Sequence, residues 1–360
     1  MNNFIRYGKK KLNQYENGGL KEVVTGKKNT LRLGVIGTGR HCRANLLPNL
    51  PFLPVELVSV CSAHMENAEY YGNKYGAHSF YNDYNEMFSN EKLDLIMCSV
   101  DGQLHPTVIR STLDKKIPVF VEKPVANTLE DIRNLLKLDK NNQVMVGFQK
   151  RFSPNYRAIK NAIDKKTYGE LHSLHLEFGV GTFGEEFEQF LVEVGIHFID
   201  LIKYFTPDAR INYVQINEQK KGQINCNIDF STPDNVIGSL YLSSNFDWSN
   251  CHERVLVNFE KENITINNLV DFSRKANSKS VFTIPLEKVT KKIIMKENWH
   301  PNYVSGDLEN SSLQQAGFLP ELRHFCHWVM GQEKNSISNL HNAFQTHQLI
   351  DHISGIIKEG

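Results

Sequence analysis

One short stretch of the sequence has ionisable residues at helical spacing, an arrangement suited to acid–base chemistry. On a helix that turns about 100° per residue, Glu193, His197, Asp200 and Tyr204 share one side, and apolar residues share the other. A lone histidine on a helix is usually structural. Here an acid precedes the histidine by one turn and another follows three residues later, so the pair can orient it and tune its pKa. His197 is therefore our candidate general base for removing a hydroxyl proton.

A second candidate site is a glycine-rich turn directly after the first apolar run. It reads Gly37-Thr38-Gly39-Arg40-His41-Cys42. The first glycine allows the tight turn, the second lets the backbone approach a pyrophosphate, and the following helix offers free N–H groups. Cys42 stands where a third glycine is usual, and it is only slightly larger than alanine. The pattern predicts a dinucleotide site, and the alternative is a plain tight turn.

The end of the second predicted strand bears on which dinucleotide binds. An acid there usually holds the adenosine ribose hydroxyls, but this chain has Ser62. Without a carboxylate to repel a 2′-phosphate, and with Arg40 and His64 as expected partners, we predict that NADP binds at least as well as NAD. Otherwise Ser62 only ends a strand and His64 is a surface histidine.

The elements that position these residues follow two different patterns. Apolar runs at 31–36, 55–61, 93–100, 119–121 and 144–148 alternate with helical stretches, which predicts a parallel, doubly wound sheet. After about residue 150, apolar and polar residues alternate at 174–178, 224–230 and 255–259, which predicts a sheet with one covered face. Residues 318–330 and 339–357 return to helical spacing.

The predicted fold class is therefore α/β. An N-terminal Rossmann domain over residues 31–150 precedes a C-terminal α+β domain over 151–358, which holds a large open, mainly antiparallel sheet. Residues 1–30 carry seven lysines or arginines and two acids. With few large apolar residues, they are predicted to form a mobile arm.

Composition excludes several classes of function. A length of 360 residues suits two domains, and the net charge of +1 gives no field that would favour nucleic acid or an anionic membrane. There is no apolar run of about 18 residues and no signal peptide, so we expect a cytoplasmic protein. The six cysteines lie singly, and His324 and His327 fit no zinc spacing. We expect buried thiols and no metal.

Three more segments complete a resemblance to the Gfo/Idh/MocA family, the group of glucose-fructose oxidoreductase and inositol dehydrogenase. They are Glu122-Lys123-Pro124, Gly147-Phe148-Gln149-Lys150-Arg151-Phe152 and Glu193-Val194-Gly195-Ile196-His197-Phe198-Ile199-Asp200. With the glycine turn, the resemblance covers about residues 31–358. It implies a Rossmann domain followed by an open-sheet domain, and a homodimer or homotetramer formed through the outer face of that sheet.

The resemblance also implies roles for individual residues. Lys123 would hydrogen-bond the reacting oxygen and help shift the pKa of His197, and Glu122 would lie near the nicotinamide. Substrate contacts are expected from Lys123, Arg151, Glu193 and His197. Further cofactor contacts are expected from Val100, Asp101 and His105.

Two departures from the family pattern lie near the expected substrate position. The family usually has aspartate where this chain has Glu193, whose longer side chain would bond a substrate hydroxyl or orient His197. The family often has Thr-Pro-Asn before its first histidine, whereas this chain has Val100-Asp101-Gly102 before Gln103-Leu104-His105. Asp101 is an unusual residue beside a nicotinamide.

Taken together, these features predict an NAD(P)-dependent oxidoreductase. It would move hydride between nicotinamide and a secondary alcohol or ketone of a sugar, cyclitol or sugar nucleotide. Two alternatives stay open: a glycosidase that retains its NAD and uses transient oxidation, and a non-catalytic regulator that senses the dinucleotide. The presence of both Lys123 and His197 argues against the regulator, because a sensor needs no base.

Overall fold

The first sheet is parallel throughout and has six strands. The computed structural model describes residues 30–182, 184, 186–276, 280–281, 284–285, 296–299 and 312–359, so the predicted arm lies outside it apart from residue 30. The strands are β1 (Leu31–Ile36), β2 (Val55–Cys61), β3 (Ser79–Tyr81), β4 (Leu95–Cys98), β5 (Val119–Glu122) and β6 (Val144–Gly147). Their order is β3-β2-β1-β4-β5-β6. The order reverses between β1 and β4, which is where a crevice opens beyond the carboxyl ends of the strands.

The connections of this sheet are helical, and the first is irregular. The four regular helices are α1 (Met65–Tyr75), α2 (Tyr84–Asn90), α3 (His105–Asp114) and α4 (Leu129–Leu138). After the glycine turn the chain forms a π-helical turn (Cys42–Leu46) and then a 3₁₀ helix (Leu47–Phe52). Pro51 inside the 3₁₀ helix removes a backbone donor, which is one reason why no long α-helix forms there.

The second sheet has eight strands and is mainly antiparallel. Its strands are β7 (Leu171–Gly179), β8 (Arg210–Lys220), β9 (Gln223–Ser231), β10 (Ile237–Ser243), β11 (His252–Phe259), β12 (Glu262–Asn267), β13 (Asp271–Ala276) and β16 (Lys296–Trp299). The order is β16-β13-β12-β11-β7-β10-β9-β8, with β7 and β10 parallel. A separate pair consists of β14 (Ser280–Val281) and β15 (Ile284–Pro285).

The second half of the chain also contains helices, some of which cover one face of this sheet. They are α5 (Pro154–Asp164), α6 (Phe187–Phe190), α7 (Ile196–Phe205), α8 (Ser312–Gln315), α9 (Phe318–Val329) and α10 (Leu340–Glu359). A 3₁₀ turn (Gln149–Phe152) precedes α5, and a π-helical turn (Leu191–Gly195) joins α6 to α7. Alternate residues of β9 and β11 are buried, so one face of the sheet is covered and the other is not.

Helix α9 packs on the parallel sheet although it lies late in the chain. Phe318, Leu322 and Phe325 join a buried cluster with Val35 and Phe120. The domain boundary at residue 150 stays a prediction. Helix α9 lies beyond that boundary in the chain, yet it covers the parallel sheet of the first domain.

The predicted fold class is confirmed, with differences at the level of elements. The predicted strands at 31–36 and 55–61 have the observed bounds, whereas β3 is too short to show a pattern and was missed. Five cysteines are buried, but Cys251 is exposed, and the prediction for it was wrong because it follows a surface turn. The subunit contact through the outer sheet face stays a prediction. Within the described ranges, no helix combines the length and apolarity needed to cross a membrane.

Candidate functional site

The glycine turn adopts the geometry that a phosphate cradle requires. Gly37 has φ +91°, and a Cβ there would lie 2.1 Å from the Ser99 carbonyl oxygen, so only glycine fits. A Cβ on Gly39 would meet no atom within 4 Å, so that backbone faces open space. Helical structure begins at Arg40, which presents unpaired N–H groups toward the same space.

The turn is tied to the end of the second strand through side chains. The hydroxyl oxygens of Thr38 and Ser62 lie 2.9 Å apart in a buried hydrogen bond. Arg40 and His64 are both exposed. The observed position of Ser62 therefore matches the predicted one, at the end of β2, and no carboxylate replaces it there.

A partly buried ion pair links the turn to the end of β5. The Nε2 atom of His41 lies 3.0 Å from Oε1 of Glu122, and Asn45 contacts the other ring nitrogen at 3.2 Å. Burial opposes the charge on His41, but the Glu122 carboxylate outweighs it and raises the His41 pKa. Burial likewise opposes the charge on Glu122, and His41 and Lys123 together lower the Glu122 pKa. Glu122 is thus an anion held beneath the glycine turn.

Lys123 reaches from the end of β5 to the π-helical turn that carries Glu193. Its Nζ donates to the Glu193 main-chain carbonyl at 2.7 Å and lies 3.6 Å from the Glu193 carboxylate. The two side chains are 13% and 37% exposed, so the ammonium is largely shielded and its carboxylate partner is not. Two residues predicted from different motifs therefore meet in space.

A cleft of about 400 Å³ opens at this meeting point. Its lining comprises Val100, Asp101, Gly102, Gln103, Lys123, Pro124, Asn127, Gln189 and Glu193. Four of these, Val100, Asp101, Lys123 and Glu193, were predicted site residues. The side-chain amides of Gln103, Asn127 and Gln189 were not, because a single amide leaves no signature in a sequence.

His105 lies at the start of α3, beneath this cleft. Its Nδ1 is 2.7 Å from the Pro124 carbonyl oxygen, and its buried Nε2 has no hydrogen-bond partner among the described residues. Burial lowers the His105 pKa, although the Pro124 carbonyl and the nearby acids oppose the shift. His105 is therefore neutral, and its direct contact is with the Glu122-Lys123-Pro124 segment.

His197 is half-buried on the first turn of α7. Its Nδ1 is buried and has no hydrogen-bond partner within the described part of the chain. Burial lowers the His197 pKa well below its ordinary value, and the positive charges of Lys123, Lys150 and His41 lower it further. The ring is therefore uncharged at neutral pH, as a proton acceptor must be.

The prediction that Asp200 orients His197 was wrong. Asp200 accepts a bidentate pair of hydrogen bonds from Arg151, at 2.7 and 2.6 Å, and a third bond from Thr346. His197 and Asp200 both lie in the regular helix α7, so their spacing is as predicted, but the Asp200 carboxylate is committed to the Arg151 guanidinium.

Arg151 belongs to the same buried cluster as Asp200 and Thr346, and it does not line the cleft. Its third donor group bonds the Ile337 carbonyl, and its side chain is 4% exposed. The predicted substrate contact at Arg151 therefore has no support in the geometry, because the guanidinium is committed to Asp200.

Lys150 is a residue whose role the sequence did not reveal. Its Nζ donates to Glu253 at 2.7 Å, and the rings of Phe178 and Phe198 flank it at 5.2 and 4.9 Å. Phe198 adjoins His197, so the buried ammonium lies close enough to influence that ring. The sequence showed only that Lys150 is a basic residue just after β6. The same is true of Arg151, so this position alone could not distinguish their roles.

The observed residues suit a nicotinamide dinucleotide. The tight Gly37 turn, the open space at Gly39 and the helix start at Arg40 would hold the pyrophosphate. Lys123, Asp101 and Val100 surround the crevice beyond the strand ends, where the nicotinamide end would lie. When bound, such a cofactor accepts or donates hydride.

Comparison with known proteins agrees with this geometry. Residues 31–149 match the GFO_IDH_MocA model, described as an oxidoreductase family with an NAD-binding Rossmann fold. Inositol 2-dehydrogenase of Salmonella typhimurium is 28% identical over 189 residues, which cover 49% of this chain and 54% of that protein. The chain thus spans about half the length of the curated relatives it matches.

Solved structures extend the similarity to most of the fold. A dehydrogenase from Chromobacterium violaceum superposes with a TM-score of 0.77 at 19% identity, covering 91% of this chain and 95% of that one. A 3-ketoreductase from Actinomadura kijaniata in complex with TDP-benzene and NADP gives 0.68 at 15% identity, covering 91% and 97%. The dinucleotide domain thus matches the Gfo/Idh/MocA family model, and the described chain shares the two-sheet fold of these solved structures.

Proposed function

We propose that this protein is an NAD(P)-dependent oxidoreductase acting on a secondary alcohol or the matching ketone of a polyhydroxylated ring. The observation that carries the proposal is the convergence of Lys123 and Glu193 on one cleft, with an uncharged His197 close enough for the Lys123 charge to lower its pKa. Removal of a hydroxyl proton requires a neutral base and a cation that stabilises the developing negative charge.

In this proposal His197 accepts the hydroxyl proton and Lys123 stabilises the negative charge that develops on the oxygen. The low pKa of His197 keeps the ring available as an acceptor over the neutral range. The Lys123 ammonium already donates to the Glu193 carbonyl, so it is held in place before substrate arrives. Glu193 positions Lys123 through this carbonyl and has a partly exposed carboxylate to offer to a ring hydroxyl.

The cofactor preference follows from the end of β2. Ser62 lies there with its hydroxyl bonded to Thr38, and Arg40 is exposed at the start of the following helix. A 2′-phosphate would meet no carboxylate at Ser62. We therefore propose that NADP binds at least as tightly as NAD.

A panel of sugars, cyclitols and sugar nucleotides, each offered with NAD and with NADP, tests the proposal. A net change of nicotinamide absorbance with at least one ring substrate is expected. Hydrolysis of a glycoside without net absorbance change would instead assign the chain to the glycosidases that use transient oxidation. Dinucleotide binding with neither activity would favour a sensing role.

A further inference from the structure

The charge of the cleft bears on the class of substrate, and this inference rests on the function proposed above. Among the described residues, two carboxylates, Asp101 and Glu193, line the cleft together with a single ammonium, that of Lys123. The neighbouring rings of His105 and His197 are uncharged because burial lowers both pKa values. The cleft is therefore net negative at neutral pH.

The groups that proteins use to hold anions are already engaged here. Lys123 donates to the Glu193 carbonyl and lies 3.6 Å from the Glu193 carboxylate. The backbone N–H of Gln103, at the approach to α3, donates to Asp101 at 3.0 Å. No arginine lies among the described residues of the lining. A phosphate or carboxylate ligand would thus meet carboxylates first, without the arginine fork that usually binds it.

The segment leading to Glu193 has the same sign of charge. Residues 184–195 contain four glutamates and neither lysine nor arginine. Glu186 and Glu188 have surface lysine partners at 3.8 and 3.4 Å, so they add little to the field of the cleft. Among the described residues, Asp101 and Glu193 therefore determine its sign.

The uncharged part of the lining suits hydroxyl groups. The side chains of Gln103, Asn127 and Gln189 each offer both a hydrogen-bond donor and an acceptor. A ring hydroxyl also donates and accepts, so these amides match a polyol without requiring a charge on it.

We infer that the substrate ring carries no phosphate, carboxylate or nucleotide, and that replacing a ring hydroxyl by an amino group strengthens binding through Asp101. The cleft takes sugars, cyclitols and their amino derivatives. It rejects sugar nucleotides, because juxtaposed like charges are costly.

Calorimetry on the full chain loaded with cofactor tests this with two matched ligand sets. One set is glucose, glucosamine and glucuronate, and the other is myo-inositol, an inosamine and an inositol phosphate, with UDP-glucose added. In at least one set we expect the amine to bind about threefold more tightly than the neutral ring, as for an exposed ion pair. We expect the anion to bind at least tenfold more weakly than the neutral ring.

Several results would overturn the inference. The inference is wrong if an anionic ligand binds as tightly as the neutral ring of its set, or if the amine binds no more tightly than the neutral ring in either set. It is also wrong if no neutral or amine ligand binds. Failure of the proposed function looks different, since rings would then bind without any change in nicotinamide absorbance on incubation.

Substitution of Asp101 locates the effect. Asp101→Asn should abolish the advantage of the amine over the neutral ring, while the amide oxygen can still accept from the Gln103 N–H. Asp114→Asn, the same change at the exposed far end of α3, should retain the advantage. If Asp101→Asn alters only cofactor affinity, Asp101 serves the cofactor and the inference is wrong.

Discussion

Two neighbouring strands of the parallel sheet end in basic residues, and the two ends serve different purposes. Lys123 follows β5 and meets a backbone carbonyl and a partly exposed carboxylate at the cleft. Lys150 and Arg151 follow β6, and each pairs with a carboxylate that is less than 10% exposed. A buried charge that has a buried counterion holds the fold together, because separating the two would leave a charge unsolvated. The Lys123 cation lies at an open cleft, where its partners are a backbone carbonyl and a partly exposed carboxylate, so it is not locked in a buried pair.

The largest expected effect is on stability and comes from Arg151, one of the buried basic residues after β6. Arg151→Ala leaves the buried Asp200 carboxylate without its bidentate partner, so it should lower the free energy of unfolding by about 3–5 kcal/mol. Urea denaturation measures the change, with the exposed Arg110→Ala as control, expected within about 0.5 kcal/mol. A stable Arg151→Ala protein with weakened substrate binding would reverse our assignment of this residue.

After β5, the residue to test is Lys123. Lys123→Ala should lower kcat by about a hundredfold or more, since it removes the charge that stabilises the developing oxyanion. Lys123→Arg should not restore activity, because a planar guanidinium does not occupy the place of a compact ammonium. The melting temperature, measured on both variants, should change little. A parallel loss of stability and activity would make Lys123 a structural residue like Arg151.

His197→Ala should lower kcat by about a hundredfold, while cofactor affinity, measured by titration, stays nearly constant. The matched control is His172→Ala, at an exposed position on β7, where full activity is expected. If the His197 variant kept nearly full turnover on its true substrate, His197 would not be the general base.

Glu193→Gln should have a milder effect, about a threefold to tenfold rise in KM. Its main-chain carbonyl, which holds Lys123, is unchanged, and only the carboxylate is lost. Glu188→Gln, which alters a surface ion pair with Lys358, provides the control and should leave KM unchanged. A large loss of kcat in the Glu193 variant would show that the carboxylate takes part in the chemistry.

The smallest expected effect is that of pH. A histidine with the ordinary pKa of about 6.5 would lose roughly fourfold of its neutral form between pH 8 and pH 6. The His197 pKa is lowered, so protonation, and with it the loss of activity, begins only at lower pH. The value of kcat/KM should therefore vary less than about twofold from pH 8 to pH 6. If kcat/KM fell fourfold over that range, and did not do so in a variant lacking His197, the pKa of His197 would not be lowered.

Short-range patterns determined much of what could be predicted. The glycine turn was predictable because its φ and its close approach to Ser99 exclude other residues. The strands at 31–36 and 55–61 were predictable because buried parallel strands are continuous apolar runs. The contact between Lys123 and Glu193, by contrast, was not predicted, since 70 residues separate them and the family resemblance implied only that each contacts the substrate.

The sequence by itself determined the two-sheet architecture, the dinucleotide turn and the list of candidate side chains, because each depends on local periodicity or backbone sterics. Only the tertiary structure decided which candidates meet. It placed Asp200 on Arg151 instead of His197, brought Asp101 to the same cleft as Glu193, and added Gln189 and Asn127 to its lining. Arg151 and Asp200 are 49 residues apart, and Asp101 and Glu193 come from the two halves of the chain. Both depend on packing between distant segments, which no local pattern encodes.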